Sequence, residues 1–259
     1  MAEKSCNLLI TGANRGLGLE MVKQLAEKPI PNRKIFACCR DPSAPKAQSL
    51  QELAKKHPGV IHVIRLDVND LSSIQESAKK VGSIVGKDGL NLLVNNAAMA
   101  TYDNTETAKL KDLQDTFNTN VVGTMMVTKE FLPYLREGAK SSGKAGMSCC
   151  KAAVINISTI LASISQAPEI ISLFPVLALS YRISKAGLNM MTVCQAQEFK
   201  EDGILFALLH PGWVRTDMGG PDGEIDASES VSGLLSVMES LTEKNHGAFL
   251  DYKGQPLPW

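Results

Sequence analysis

The sequence predicts an α/β protein: one doubly wound parallel sheet of about seven strands with helices on both faces, in a single domain over residues 1–259. Three observations predict it. Short aliphatic or β-branched runs alternate with longer amphipathic ones, the pattern of repeated strand–helix–strand units. No Pro/Gly-rich linker, internal repeat or low-complexity tract divides the chain. A length of 259 residues exceeds the ~150 of an average domain, yet folds of this class often stay undivided at that size.

Taken in order, the aliphatic run Asn7 to Thr11 is the first strand, followed by a glycine-rich turn and an amphipathic helix over about Leu17 to Ala26. The second strand is Lys34 to Arg40, the third Val60 to Leu66 and the fourth Asn91 to Asn95, each an apolar run. Helical patterns over Ala44 to Lys56 and Leu71 to Val85 separate them. A long helical pattern from Thr107 to Glu137, in two pieces, precedes the loop-like stretch Gly138 to Cys150, read as a solvated surface insertion. Strands at Ala152 to Ser158, Ile204 to His210 and Ala248 to Leu250 complete the sheet, with helices over Leu179 to Lys200 and Ala227 to Thr242 between them.

Composition narrows the function classes. With 44% hydrophobic and 21% charged residues the chain buries enough apolar surface to be globular. Lys plus Arg equals Asp plus Glu, 27 each, so no overall field draws in nucleic acid or an anionic membrane, and neither is expected as a partner. The run near the N-terminus is too short for a signal peptide and no stretch of about 18 apolar residues exists, so a soluble cytoplasmic protein is expected. The six cysteines are then free thiols. No Cys-x-x-Cys is present and the four histidines never pair at ligand spacing, so no metal site is expected.

The turn after the first strand reads Thr11, Gly12, Ala13, Asn14, Arg15, Gly16, Leu17, Gly18. Gly12 permits a tight turn, Gly16 lets the main chain approach a pyrophosphate, and Gly18 lets the helix pack on the sheet with its first amides facing the anion. The spacing differs from both G-x-G-x-x-G and the lysine-containing P-loop. A turn that merely caps a helix is the plainer alternative. Tyr181 and Lys185, four apart, share one face of a helix. A nearby ammonium lowers a tyrosine pKa, which suits a phenol that gives a proton to a carbonyl oxygen.

TGANRGLG resembles the cofactor turn of the short-chain dehydrogenases/reductases. Asp67-Val68, NNAA at Asn95 to Ala98, Asn120 within NVVG, YRISK at Tyr181 to Lys185 and HPGWVRTDM at His210 to Met218 match that family in order and approximate spacing. The resemblance covers essentially the whole chain and is nearest to sniffer-type carbonyl reductases and C-factor proteins. It implies a Rossmann-type domain with cofactor contacts from Gly12, Asn14, Arg15, Gly16, Leu17, Gly18, Arg40, Asp67, Val68, Asn95, Ala97, Tyr181, Lys185, Pro211, Val214 and Thr216. It also implies Tyr181 as acid, Lys185 lowering its pKa, and Asn120 holding a water that relays protons. The family's catalytic hydroxyl falls on Thr159, where a serine is usual, with Ser158 as fallback, although strand alternation points Ser158 to the other face. Ala98 replaces the usual glycine.

Where an NAD enzyme would carry an acid the chain has Cys39, followed by Arg40, and Arg15 lies in the turn nearby. Two guanidinium groups closing on a 2′-phosphate make NADPH/NADP+ the expected cofactor, unless Asp41 blunts Arg40 by pairing with it. A Gly/Pro-rich lid is expected over about 214–232, mobile from Asp217 to Ala227. The apolar segment Ile160 to Leu179 lines the pocket mouth or is covered by a second subunit, so the substrate is an apolar or aromatic carbonyl compound: a ketone, quinone or aldehyde. The resemblance also implies a homodimer, paired through a helix carrying Leu188, Met191 and Gln195, although a core-facing stripe explains these residues equally well. The reading from another class is a dinucleotide-binding signalling protein with little turnover.

Overall fold

The computed structural model describes residues 6–28, 30–173 and 177–259. Among them seven strands form one sheet: β1 (Cys6–Ile10), β2 (Arg33–Cys39), β3 (Ile61–Arg65), β4 (Leu92–Asn95), β5 (Ala153–Ile157), β6 (Leu205–His210) and β7 (Phe249–Asp251). Their order is β3-β2-β1-β4-β5-β6-β7 and every pairing is parallel. Parallel neighbours need crossover connections, and these put helices on both faces.

Side-chain alternation divides the core into two layers. Leu8 and Ile10 of β1 point to the layer of α1 (Gly16–Glu27), α2 (Gln48–Lys56) and α8 (Ala227–Ser240), where Met21, Val22, Leu50, Leu234 and Met238 are buried. Leu9, between them, joins the opposite layer with Ile74 and Val81 of α3 (Leu71–Val85) and Phe131 and Leu135 of α5 (Thr124–Ser141). The remaining helices are α4 (Leu110–Phe117), α6 (Ala167–Leu173) and α7 (Leu179–Glu198). No helix of the described residues is long and apolar enough to cross a membrane.

Most elements lie within a few residues of their expected bounds, and the departures have physical reasons. The long fourth helical pattern does break in two, at a turn of π-helix over Asn118–Gly123. α5 runs to Ser141, into the stretch expected as loop, because Gly138 is a packing glycine: a Cβ there would lie 2.2 Å from the Leu90 carbonyl oxygen. The segment Ile160 to Leu179 carries the unpredicted α6, and its residues 174–176 lie outside the described residues. The last six residues of the expected lid, 227–232, are instead the start of α8, where Val231 is fully buried.

The chain leaves β1 toward β2 and β3 on one side and resumes with β4 on the other. That reversal opens a crevice above the carboxyl ends of β1 and β4, where ligands of such sheets bind. The glycine turn and the NNAA segment both emerge there.

Candidate active site

Gly12 and Gly16 adopt φ of +64° and +52°, conformations that side chains disfavour. Gly18 is required for a different reason: a Cβ would sit 2.3 Å from the Gly12 carbonyl oxygen. The hydroxyl of Thr11 accepts from the main-chain amides of Asn96 and Ala97, both at 3.0 Å, and Asn96 Nδ2 donates to the Thr11 carbonyl at 2.9 Å. These bonds join the turn to the segment after β4. α1 starts with no side-chain cap and no acid in its first turn, which leaves its leading amides and positive dipole end to an anion. A Cβ on Gly16 would meet nothing nearer than Thr216, at 3.7 Å, so the mouth above the turn is open. These residues fit a pyrophosphate.

The other expected cofactor residues surround this turn in different ways. Asn14 donates to the Lys46 carbonyl at 3.4 Å, and Leu17 packs on the core. Asn95 turns its side chain inward, to Thr128 at 3.1 Å and Asn156 at 2.8 Å, so only its main chain borders the crevice. Ala97 backs onto Gly12, which has room for no Cβ there. Asp67 Oδ1 accepts from the Asn69 amide at 3.0 Å, and the Val68 carbonyl lies against Gly123 of the π turn. Cys39 is buried and Arg40 exposed. Asp41 does not pair with Arg40: it accepts from the Ser43 amide and hydroxyl, which hold its carboxyl below the usual range. Arg15 instead pairs with Asp217 of the lid at 2.8 Å.

Tyr181 and Lys185 occupy the first turns of α7. Lys185 is 3% exposed, its Nζ donates to the Ile157 carbonyl at 2.7 Å, and it lies 5.8 Å from the Tyr181 ring centroid. Burial pushes the tyrosine pKa up and pulls the lysine down to about 7. The expected lowering of Tyr181 by an ammonium is therefore absent from the protein alone: near pH 7 the lysine is only partly charged and desolvation dominates. Ser158 and Thr159 diverge as alternation requires. Ser158 donates to Asn189 Oδ1 of α7 at 2.6 Å, whereas Thr159 Oγ1 accepts from the Leu161 amide at 3.2 Å. Asn120 is 1% exposed; its amide group serves Met99 N, Met99 O and Ser184 Oγ at 2.9–3.0 Å.

The lid is a set of linked turns. Val214 bridges Ile225, Thr216 bridges Gly220, and Arg215 holds Asp226 at 2.8 Å and the Gly223 carbonyl at 2.7 Å. Pro211 accepts from Ser230 of α8 at 2.6 Å, which sets the lid's root. Three groups that bind the site together escaped the sequence reading. Arg182 donates to the Leu177 and Leu161 carbonyls, at 2.6 and 3.3 Å, clamping both ends of the apolar segment. Asp103 holds Ser180, and Tyr102 holds the lid at the Met218 carbonyl. Arg182 stands inside the YRISK motif, but its burial shows only in the structure, and nothing in sequence relates Asp103 to Ser180.

Comparison with known proteins agrees with this arrangement. The family model for short chain dehydrogenase matches residues 7–225. The NADPH-bound carbonyl reductase from chicken fatty liver superposes with a TM-score of 0.92 at 42% identity, covering 99% of this chain and 100% of that one. The carbonyl reductase Sniffer of D. melanogaster gives 0.91 at 35% identity over 98% and 100%. C-signal of Myxococcus xanthus is 33% identical over 171 residues, 66% of this chain and 93% of that protein. The chain belongs to the short chain dehydrogenase family of oxidoreductases.

Proposed function

We propose that the protein is an NADPH-dependent reductase of apolar or aromatic carbonyl compounds, with Tyr181 as the acid. The observation that carries this reading is the placement of Lys185: buried, held by the Ile157 carbonyl two residues before Thr159, and beside the Tyr181 ring. This stands the amine at the carboxyl end of β5, which Thr159 follows in sequence, and supports a reaction site beside the crevice that bears the glycine turn. NADPH, when bound, supplies the hydride. Tyr181 gives the carbonyl oxygen its proton, and its raised pKa keeps it protonated at rest. The Thr159 hydroxyl donates to the same oxygen as charge develops there. Lys185, poised at about 7, can return a proton to Tyr181. The side chain of Asn120 is already occupied by Met99 and Ser184, so the relay it serves runs past its main chain, in a π turn of the kind common at functional sites. Arg40, in no ion pair among the described residues, is available to a 2′-phosphate, and Arg15 joins it by exchanging Asp217. The likeness to an NADPH-bound carbonyl reductase supports the cofactor.

The test is NADPH oxidation, followed by absorbance, across a panel of quinones, ketones and aldehydes. Tyr181→Phe is expected to lower kcat/KM at least ~100-fold; wild-type turnover in that variant would remove Tyr181 from the mechanism. A second reading, a dinucleotide-binding signalling protein, draws on the similarity to C-signal and on Thr159 and Ala98. Tight NADPH binding without oxidation on any of the panel would favour it.

The reading includes a homodimer and a cytoplasmic location, the latter in keeping with six free cysteines. The dimer does not use the expected stripe, because Leu188 and Gln195 are buried against the core and Met191 packs beside Leu188. Ile183 and Met190, exposed at 45% and 66%, make the outward stripe of α7, next to Phe117 of α4, which lies against Gly187. That is the face we assign to a second copy.

A further inference from the structure

The loop between β4 and α4 carries two consecutive residues, Tyr102 and Asp103, that the reaction as described does not use. Tyr102 is 67% exposed, and its hydroxyl donates to the Met218 carbonyl of the lid. Its phenol also lies near enough to Tyr181 to contribute to the upward shift of that residue's pKa. Asp103 faces the other way. Its carboxylate accepts from the Ser180 amide at 2.9 Å and from the Ser180 hydroxyl, and its carbonyl accepts from the Leu179 amide at 3.1 Å. α7 starts after Ala178 at a φ of +46° with no cap from its own N-terminal residue, so Asp103 supplies the missing cap from 77 residues away. The two residues tie the lid and the first turn of α7 to one loop.

We infer that Tyr102 is a specificity-determining residue: its ring, hung from the lid carbonyl and fixed at its base by Asp103, walls the pocket beside Tyr181 and selects flat aromatic carbonyl substrates by stacking. This rests on the carbonyl reductase reading. An exposed ring held at both ends presents its face without an entropic cost at binding, and an offset-stacked partner is what such a face prefers. A small aliphatic carbonyl compound has no ring to stack and gains nothing from it.

The experiment compares wild type, Tyr102→Ala and Tyr102→Phe with 1,4-naphthoquinone and butanal, at saturating NADPH. Tyr102→Ala is expected to raise KM for the quinone about five- to tenfold, the size of a lost aromatic pair. Because the same change frees the lid at Met218, an effect common to both substrates is divided out: the ratio of the quinone KM to the butanal KM should rise about five- to tenfold. Tyr102→Phe keeps the ring but loses its bond to the Met218 carbonyl, so its quinone KM should fall between those of wild type and Tyr102→Ala. Equal shifts for both substrates, or a Phe variant that behaves like the Ala variant, would overturn the inference. Binding of the quinone to the NADP+-loaded protein, read by quenching of Trp213 and Trp259 fluorescence, separates this claim from the proposed activity. If wild type turns over neither compound the activity reading fails, and an unchanged quinone Kd in Tyr102→Ala then sinks the present one independently.

Discussion

Ser158 and Thr159 are adjacent in sequence and turned to opposite tasks. Ser158, 2% exposed, spends its hydroxyl proton on Asn189, while Thr159 accepts from a main-chain amide and keeps its own proton free to donate. Removing each hydroxyl should therefore give different phenotypes. Thr159→Val is expected to cost ~100-fold in kcat and about 1 kcal/mol of stability, from the Leu161 amide it leaves uncapped, and Thr159→Ser to restore both. Ser158→Ala should cost about 1–3 kcal/mol of stability by stranding Asn189, leaving kcat within a few-fold. Steady-state kinetics beside urea denaturation checks both. Lys185 permits a prediction in pH. Its amine is held at about 7 in the folded, cofactor-free protein, whereas the unfolded chain keeps that proton to ~10.4. Between pH 7 and 10 the folded protein has released that proton while the unfolded chain still holds it, so the Lys185 contribution to stability rises with pH, by up to about 1.4 kcal/mol per pH unit; the gain is absent well below 7. Tyr181 stays protonated in both states through this window, since its folded pKa is raised. Lys185→Met should flatten the rise, and an unchanged slope between pH 7 and 9.5 would refute the assignment.

At the scale of elements, the glycines explain which boundaries were legible. The glycine turn was readable because each glycine there meets a local demand, positive φ at Gly12 and Gly16 and close packing at Gly18. Gly138 misled, because glycine in a loop and glycine under a crossing chain look the same in sequence. The structure shows a helical residue against the Leu90 carbonyl, so α5 outlasts its expected end. The two kinds of glycine predict different penalties within one turn. Gly18→Ala forces a Cβ onto main-chain oxygen and should cost roughly 2–4 kcal/mol and NADPH binding with it. Gly16→Ala meets nothing nearer than Thr216, at 3.7 Å, and should cost about 1 kcal/mol of stability from its backbone conformation, with NADPH binding weakened where the Cβ stands in the path of the pyrophosphate. Thermal melts with and without NADPH distinguish the two.

For the whole molecule, the alternation of buried runs and amphipathic helices specified a parallel sheet, because strands covered on both faces must be largely apolar, as Leu8 to Ile10 of β1 and Leu205 to Leu209 of β6 are. The surface was less legible. Leu188 and Met190 are both apolar and two residues apart on α7, yet one is 1% and the other 66% exposed. Periodicity indicates a stripe but not which side of the helix the rest of the chain covers. If Ile183, Met190 and Phe117 pair with a second copy, Met190→Asp should convert a dimer to a monomer in light scattering, with the thermal midpoint of the dilute protein unchanged. A wild-type monomer at micromolar concentration would dispose of the dimer.

By itself the sequence determined the fold class and the glycine turn, and put Tyr181 and Lys185 on one face of a helix, because each depends on residues near one another in the chain or on periods of two and 3.6 residues. Only the tertiary structure decided that Asp41 turns to Ser43 rather than to Arg40, that Arg15 holds Asp217, and that Asp103 caps a helix 77 residues ahead. Asp41 and Ser43 lie in one loop, whereas the other two are pairings between loops that no period relates. They exist because the switch in strand order brings the carboxyl ends of β1 and β4 side by side.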